Sequence, residues 1–210
     1  MKLFTFPVAP NPTKVRLYLA EKAAAGTPIP LEEVSVNLVE REQWTPEHRA
    51  RNPFGLLPVL ETDSGAHVIE SLVIIDYLED LFPAPSMFGA DPESRACARQ
   101  TERIADLGVL VPLGGLVHAT KSPVGYPANP PVADYFRARL PNALGYLESL
   151  LDDSRLFLSG DRVTVGDCTL AAALQFGRFR KIDPLGDFPR LRAWDARYRE
   201  REPAKRVLVL

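Results

Sequence analysis

Two short stretches hold the residues best suited to chemistry. Glu70-Ser71 sets a carboxylate beside a hydroxyl at the head of an apolar, helix-patterned run, Ser71 to Leu81. A free helix N-terminus offers N–H groups and the positive end of its dipole to an anion. A carboxylate next to it can hold an ammonium. Together they suit an α-amino acid head, with its carboxylate on Ser71 and its amine on Glu70. The plainer reading is that Ser71 caps its helix and Glu70 is solvated. The second stretch is Leu57-Pro58-Val59. Proline cannot donate to a sheet ladder, so Pro58 belongs at a strand entry. A cis bond there would leave the Val59 N–H and C=O free for an extended, peptide-like ligand; a trans bond would be an ordinary strand start.

A third pattern reads as structural. Thr164-Val165-Gly166-Asp167 has the Ser/Thr-x-x-Asp form of a capping box and needs no ligand. His48, His67 and His118 are scattered without ligand spacing, so no metal site is expected. Arg137 and Arg139 read as a solvated face.

These residues require elements to position them. Leu3 to Phe6 reads as a strand, and Pro7 to Pro12 as a rigid loop. Thr13 reads as the cap of a helix that stops near Gly26. Leu31 to Leu38 is a second strand, making a right-handed parallel crossover. A short helix starts at Thr45-Pro46. Leu57 to Leu60 and Ala66 to Ile69 form a hairpin around Thr62–Gly65. The order is that of a thioredoxin-like α/β layer. Prolines mark a linker at residues 82–92, and strand signals then stop. Glu93 to Leu110 is helical, with a break at Pro112 and Gly114-Gly115. Ser122 to Pro131 is a loop. Val132 to Leu151 is one kinked helix or two, because Pro141 lies inside it. Thr164 to Phe179 is the buried centre of an all-α domain, and helices at Pro189 and Pro203 finish the chain.

Composition sets the bounds. The chain has 210 residues, 46% hydrophobic and 25% charged, with net charge -2. That suits a globular protein and gives no basic surface for nucleic acid. No apolar run of about 18 residues suggests a membrane span. Met1 to Phe6 is too soon interrupted by proline to be a signal peptide. Two cysteines without metal or redox spacing fit a reducing, cytoplasmic setting.

In order and spacing, these features resemble the cytosolic glutathione transferase family over essentially the whole chain. Asn52-Pro53-Phe54-Gly55-Leu56-Leu57-Pro58-Val59-Leu60 is similar to the loop into its cis-proline. Glu70-Ser71, with Ile75 and Tyr77-Leu78, is similar to its γ-glutamyl motif. Leu158 to Asp167 is similar to the capping signature of its helical domain. The resemblance implies a thioredoxin-like domain at 1–81, the linker at 82–92 and an all-α domain at 93–210. It implies glutathione as co-substrate, held by Gln43, Leu57, Pro58, Val59, Glu70 and Ser71. Val59 would pair with the cysteinyl backbone, and Gln43 would reach the glycyl carboxylate, as in several bacterial members. Phe54 is either a plug into a homodimer partner or local core.

The reactive end departs from the family pattern. Ala9 stands where Ser-type and Cys-type members keep their thiolate-stabilising residue. Asn11, within Pro10-Asn11-Pro12, resembles the asparagine of nu-like bacterial members, and Thr13 is the other nearby donor. The implied activity is transfer of the glutathione thiolate to a small hydrophobic electrophile. The electrophile would sit in a cleft that includes Ala9, His118, Tyr126 and Phe176. Glutathione-dependent disulfide reduction and a non-catalytic binding or scaffold role are the alternatives.

Overall fold

A computed structural model describes residues 1–209. Strand β1 (Lys2–Thr5) leads into helix α1 (Pro10–Ala24), then β2 (Glu32–Ser35), α2 (Pro46–Arg51), β3 (Val59–Glu61), β4 (His67–Ile69) and α3 (Ser71–Leu81). The sheet order is β2-β1-β3-β4; β1 and β2 are parallel and the other pairs antiparallel. This is the expected thioredoxin-like layer, with α1 and α3 covering one face through Leu3, Val15, Tyr18, Leu60, Ile74 and Leu78. Phe4, Val36 and Val59 form a smaller cluster on the other face.

Helix α1 starts earlier than its sequence suggests. Pro10 opens it, Ala9 is its N-cap, and Thr13 lies inside the first turn. The reason is positional. Pro10 and Pro12 fall where a helix leaves N–H groups unpaired, so their missing donors cost nothing and the prolines start the helix instead of delaying it. The other end behaves as expected. Gly26 takes φ 93°, and Thr27 N–H reaches Lys22 O at 2.9 Å in a Schellman closure. Strand β2 is shorter than expected, because only residues 32–35 pair with β1.

The second half is all helical: α4 (Pro92–Ala105), α5 (Val111–Lys121), α6 (Pro130–Leu150), α7 (Val165–Phe179), α8 (Pro189–Arg199) and α9 (Glu202–Val207). The expected break near Pro112 is absent. Helices α4 and α5 are joined by a π-helical turn, Asp106–Leu110, into one run from Pro92 to Lys121. The wider turn takes up the misfit that a proline at 112 would impose on a regular helix. Part of this run, with mean hydropathy 1.2, is long and apolar enough to match a membrane span by length and composition alone. Its apolar side chains Ala98, Ala105, Val109, Leu113 and Leu116 belong to the protein's main core. Pro141 sits within one continuous α6.

Helix α7 is the axis of this half and is buried from Val165 to Gly177. Its start is built as the sequence predicts. Asp167 accepts the Thr164 N–H at 2.9 Å, and also the Leu158 N–H and Trp194 Nε1–H, both at 3.0 Å. Burial still dominates and raises the Asp167 carboxyl to about 6.

Polar contacts tie the two halves. Lys14 of α1, fully buried, meets Glu102 of α4 at 2.9 Å and Asp106 at 3.3 Å. Gln175 of α7 donates to Thr13 Oγ1 at 3.3 Å and accepts the Val209 N–H at 2.7 Å. Arg201 grips Glu21 through two nitrogens, at 3.0 and 2.6 Å.

Candidate functional site

A cleft of about 740 Å³ opens where the sheet layer meets the helices. One wall is the N-terminus of α1 (Ala9, Pro10, Asn11, Pro12). A second is the segment between β2 and β3, with Leu38, Arg41, Gln43, Trp44 and Leu57. The third is helical, formed by Leu110, Val111, Gly114, His118, Tyr126 and Phe176 among others. Seven of the residues singled out in the sequence therefore share one cavity: Ala9, Asn11, Gln43, Leu57, His118, Tyr126 and Phe176.

The α1 end is chemically sparse. Of the three residues Pro10, Asn11 and Pro12, only Asn11 carries an N–H, and Thr13 N–H is bonded to Ala9 O at 3.0 Å. The N-cap Ala9 has no side-chain donor. Asn11 thus supplies both the one backbone N–H and the one side-chain amide at this end. Ser71 Oγ donates to Asn11 Oδ1 at 3.2 Å. That leaves Asn11 Nδ2 without a partner among the described residues and able to donate into the cleft.

The Ser71 contact brings the start of α3 beside the start of α1. Glu70, not Ser71, is the N-cap of α3, a correction to the expected cap. Ser71 is the first helical residue, so its N–H and those of Leu72 and Val73 lie in the turn that has no intrahelical acceptor. Glu70 is exposed and holds φ 71°. Val8, before Ala9, has φ 70°, and Arg41 on the cleft wall has φ 62°. Three of the five described non-glycine residues with positive φ flank this one site, strain of the kind found where geometry serves a ligand. Gly55 (φ 63°) lets the chain pass under Trp44, whose ring would lie 2.6 Å from an added Cβ.

Two further expectations need correction. Thr13 is fully buried and its hydroxyl is engaged with Gln175, so it faces the helical half and not the cleft. Val59 is also fully buried, paired in register with Phe4 on one side and Ile69 on the other. As a strand in the middle of the sheet, β3 has neighbours on both edges, and Val59 does not line the cleft. The Leu57-Pro58 bond is cis, as the resemblance implies. Leu57 is the residue at the cavity, and its backbone N–H and C=O make no hydrogen bond among the described residues. Pro58 is buried behind it. Phe54 is 62% exposed, which removes the local-core reading.

Gln43 is nearly buried, and its Oε1 has no partner among the described residues. An unpaired buried acceptor costs free energy until a ligand supplies a donor. On the helical wall, His118 lies 5.6 Å from the Tyr126 ring and 5.9 Å from Phe176, centre to centre. Its Nδ1 is 3.2 Å from Ser122 Oγ. Burial pushes the imidazole below its ordinary value, so it is neutral at pH 7. The sequence also missed Arg41, Trp44, Leu110, Val111 and Gly114. The Gly114-Gly115 doublet was the available signal, read as a helix break and found inside α5. No cluster of three or more metal-ligating side chains occurs among the described residues.

A thioredoxin-like layer joined to a helical domain, with a cleft at the seam lined by the start of α1 and by Leu57 before the cis-proline, is an architecture suited to a small molecule; Glu70 and Ser71 lie outside the cleft lining, joined to it through Asn11. Comparison with known proteins is more specific. Residues 3–86 match the family model for the glutathione S-transferase N-terminal domain, and residues 100–197 that for the C-terminal domain. Glutathione S-transferase 2 of Saccharomyces cerevisiae is 28% identical over all of this chain and 90% of its own length. FtsZ-localized protein A of Caulobacter vibrioides is 30% identical over 99% of this chain and 90% of its own. The crystal structure of a glutathione S-transferase domain-containing protein from Marinobacter aquaeolei superimposes with TM-score 0.86 at 32% identity, covering 97% of this chain and 100% of that one. The chain belongs to the glutathione S-transferase family.

Proposed function

We propose that the protein is a glutathione transferase that joins the glutathione sulfur to a small hydrophobic electrophile. The observation that supports this reading is the Ser71–Asn11 contact, which brings the start of α3 beside the Asn11 amide at the start of α1. The γ-glutamyl carboxylate lies on the first-turn amides of α3, with its ammonium at Glu70. The cysteinyl backbone pairs with the free N–H and C=O of Leu57. Gln43 takes the glycyl end, its Nε2 donating to the carboxylate and its unpaired Oε1 accepting the glycyl N–H. The sulfur then points to Asn11, whose Nδ2 and backbone N–H stabilise the thiolate without forming a covalent bond. The thiolate forms a carbon–sulfur bond at the electrophile, and the leaving group departs with its electron pair. The apolar wall around Phe176 and Tyr126 receives the electrophile. A cytoplasmic homodimer is the setting this reading assumes.

Asn11 between prolines also favours a second, nu-like reading, in which the same thiolate attacks a disulfide sulfur and a thiolate leaves. With alanine at position 9, no protein thiol stands at the loop to form a mixed disulfide. Parallel turnover assays separate the two. Conjugation of chloro-dinitrobenzene supports the transferase. Reduction of hydroxyethyl disulfide without conjugation supports the reductase. Absence of both, with no glutathione binding, sinks both and leaves a non-catalytic role.

A further inference from the structure

Helix α5 carries two adjacent glycines in its interior, where glycine is the weakest helix former after proline. Packing explains one of them. A Cβ on Gly115 would lie 2.4 Å from the Phe136 ring of α6, so close helix–helix approach requires glycine there. Packing does not explain the other. A Cβ on Gly114 would meet no atom within 4 Å, and its φ is not in the left-handed region. Gly114 lines the cleft. Its neighbours on the same helix face are Leu110, one turn earlier, and His118, one turn later, and both line the cleft as well. The glycine therefore cuts a notch one residue wide between two large side chains.

We propose that Gly114 is a specificity-determining position that admits the flat ring of an aromatic electrophile, laid on the exposed α5 backbone between Leu110 and His118. This rests on the transferase reading above and names its substrate class. Aromatic neighbours suit such a ring, because Tyr126 and Phe176 pack around His118 at the same wall. The only full charge among the cleft-lining residues is Arg41, and no carboxylate is among them, so the ring is neutral or anionic.

The test uses two glutathione conjugates as probes, S-methylglutathione and S-nitrobenzyl glutathione, titrated by calorimetry into wild type, Gly114→Ala and Gly114→Leu. Filling the notch should weaken the nitrobenzyl conjugate several-fold in Gly114→Ala and at least about tenfold in Gly114→Leu, the scale of a pocket mismatch of one or more methylenes. The methyl conjugate should bind all three proteins equally. Gly114→Ala should also melt at a higher temperature than wild type, which excludes misfolding as the cause. Equal binding of the nitrobenzyl conjugate across the three proteins overturns the notch while leaving the transferase reading intact. Equal loss of both conjugates in the variants also overturns it. Failure of wild type to bind either conjugate overturns both readings.

Discussion

Replacing Asn11 by alanine isolates the sulfur-activating group. Prolines on both sides leave the start of α1 with one backbone N–H, which belongs to Asn11 and survives the substitution. What is lost is Nδ2, the group free for the ligand, together with Oδ1, which accepts from Ser71 Oγ at 3.2 Å and positions the amide. A hydrogen bond to a charged acceptor contributes about 1.5–3 kcal/mol. The cleft is open to solvent, so the lower end applies, and about 1.5 kcal/mol corresponds to about one unit of thiol pKa. The helix dipole remains, contributing about 0.3–1 kcal/mol. Glutathione bound to Asn11→Ala should therefore titrate about one unit higher than on wild type. Conjugation at pH 7 should fall about tenfold, and the deficit should shrink as pH rises past the shifted value. Asn11→Asp should raise the thiol pKa further, because a carboxylate repels the thiolate. The assay is the ultraviolet absorbance of the thiolate against pH at saturating glutathione. An unmoved titration in Asn11→Ala, with binding intact, would refute the role given to Nδ2.

Other outcomes follow from the same contacts. Lys14→Met leaves buried Glu102 with only the longer Arg103 contact at 3.6 Å, and urea unfolding should show a loss of about 3 kcal/mol, the lower end for breaking a buried pair; a loss below about 1 kcal/mol would show that the pair is not what ties α1 to α4. Asp167 is raised to about 6 when folded, so its protonated form favours folding: that contribution is complete below about pH 4 and is lost as pH rises through about 6. The stability of wild type relative to Asp167→Asn should accordingly fall by about 3 kcal/mol between pH 4 and pH 7, and a flat difference contradicts the burial argument. His118 should titrate below its ordinary value by NMR, and lower still when an aromatic conjugate covers it; a raised value would place an unrecognised anion at that wall.

Local signals carried much of this architecture. The start of α7 was readable because Thr164 and Asp167 act within one turn. The order of strands and helices along the first half followed from the spacing of short apolar runs between turn residues. Errors arose where position within an element decides a residue's role. Prolines 10 and 12 look like helix blockers but occupy the only turn that tolerates them, which moved Thr13 from cap to core. Val59 and Leu57 are two residues apart, yet one is in the centre of the sheet and the other at its open end. Long-range partners left no local trace. Lys14 with Glu102, and Gln175 with Thr13, are 88 and 162 residues apart. Gly114 was visible as a glycine, but its meaning depends on which side of α5 faces the cleft.

The most direct test of the account is calorimetric titration of glutathione into the wild-type protein and Ser71→Ala. Saturable binding at one site per chain is expected, weakened at least several-fold by Ser71→Ala, because the hydroxyl sits at the head of α3 and holds Asn11. Absence of measurable binding to the wild type, or binding indifferent to Ser71, would contradict it.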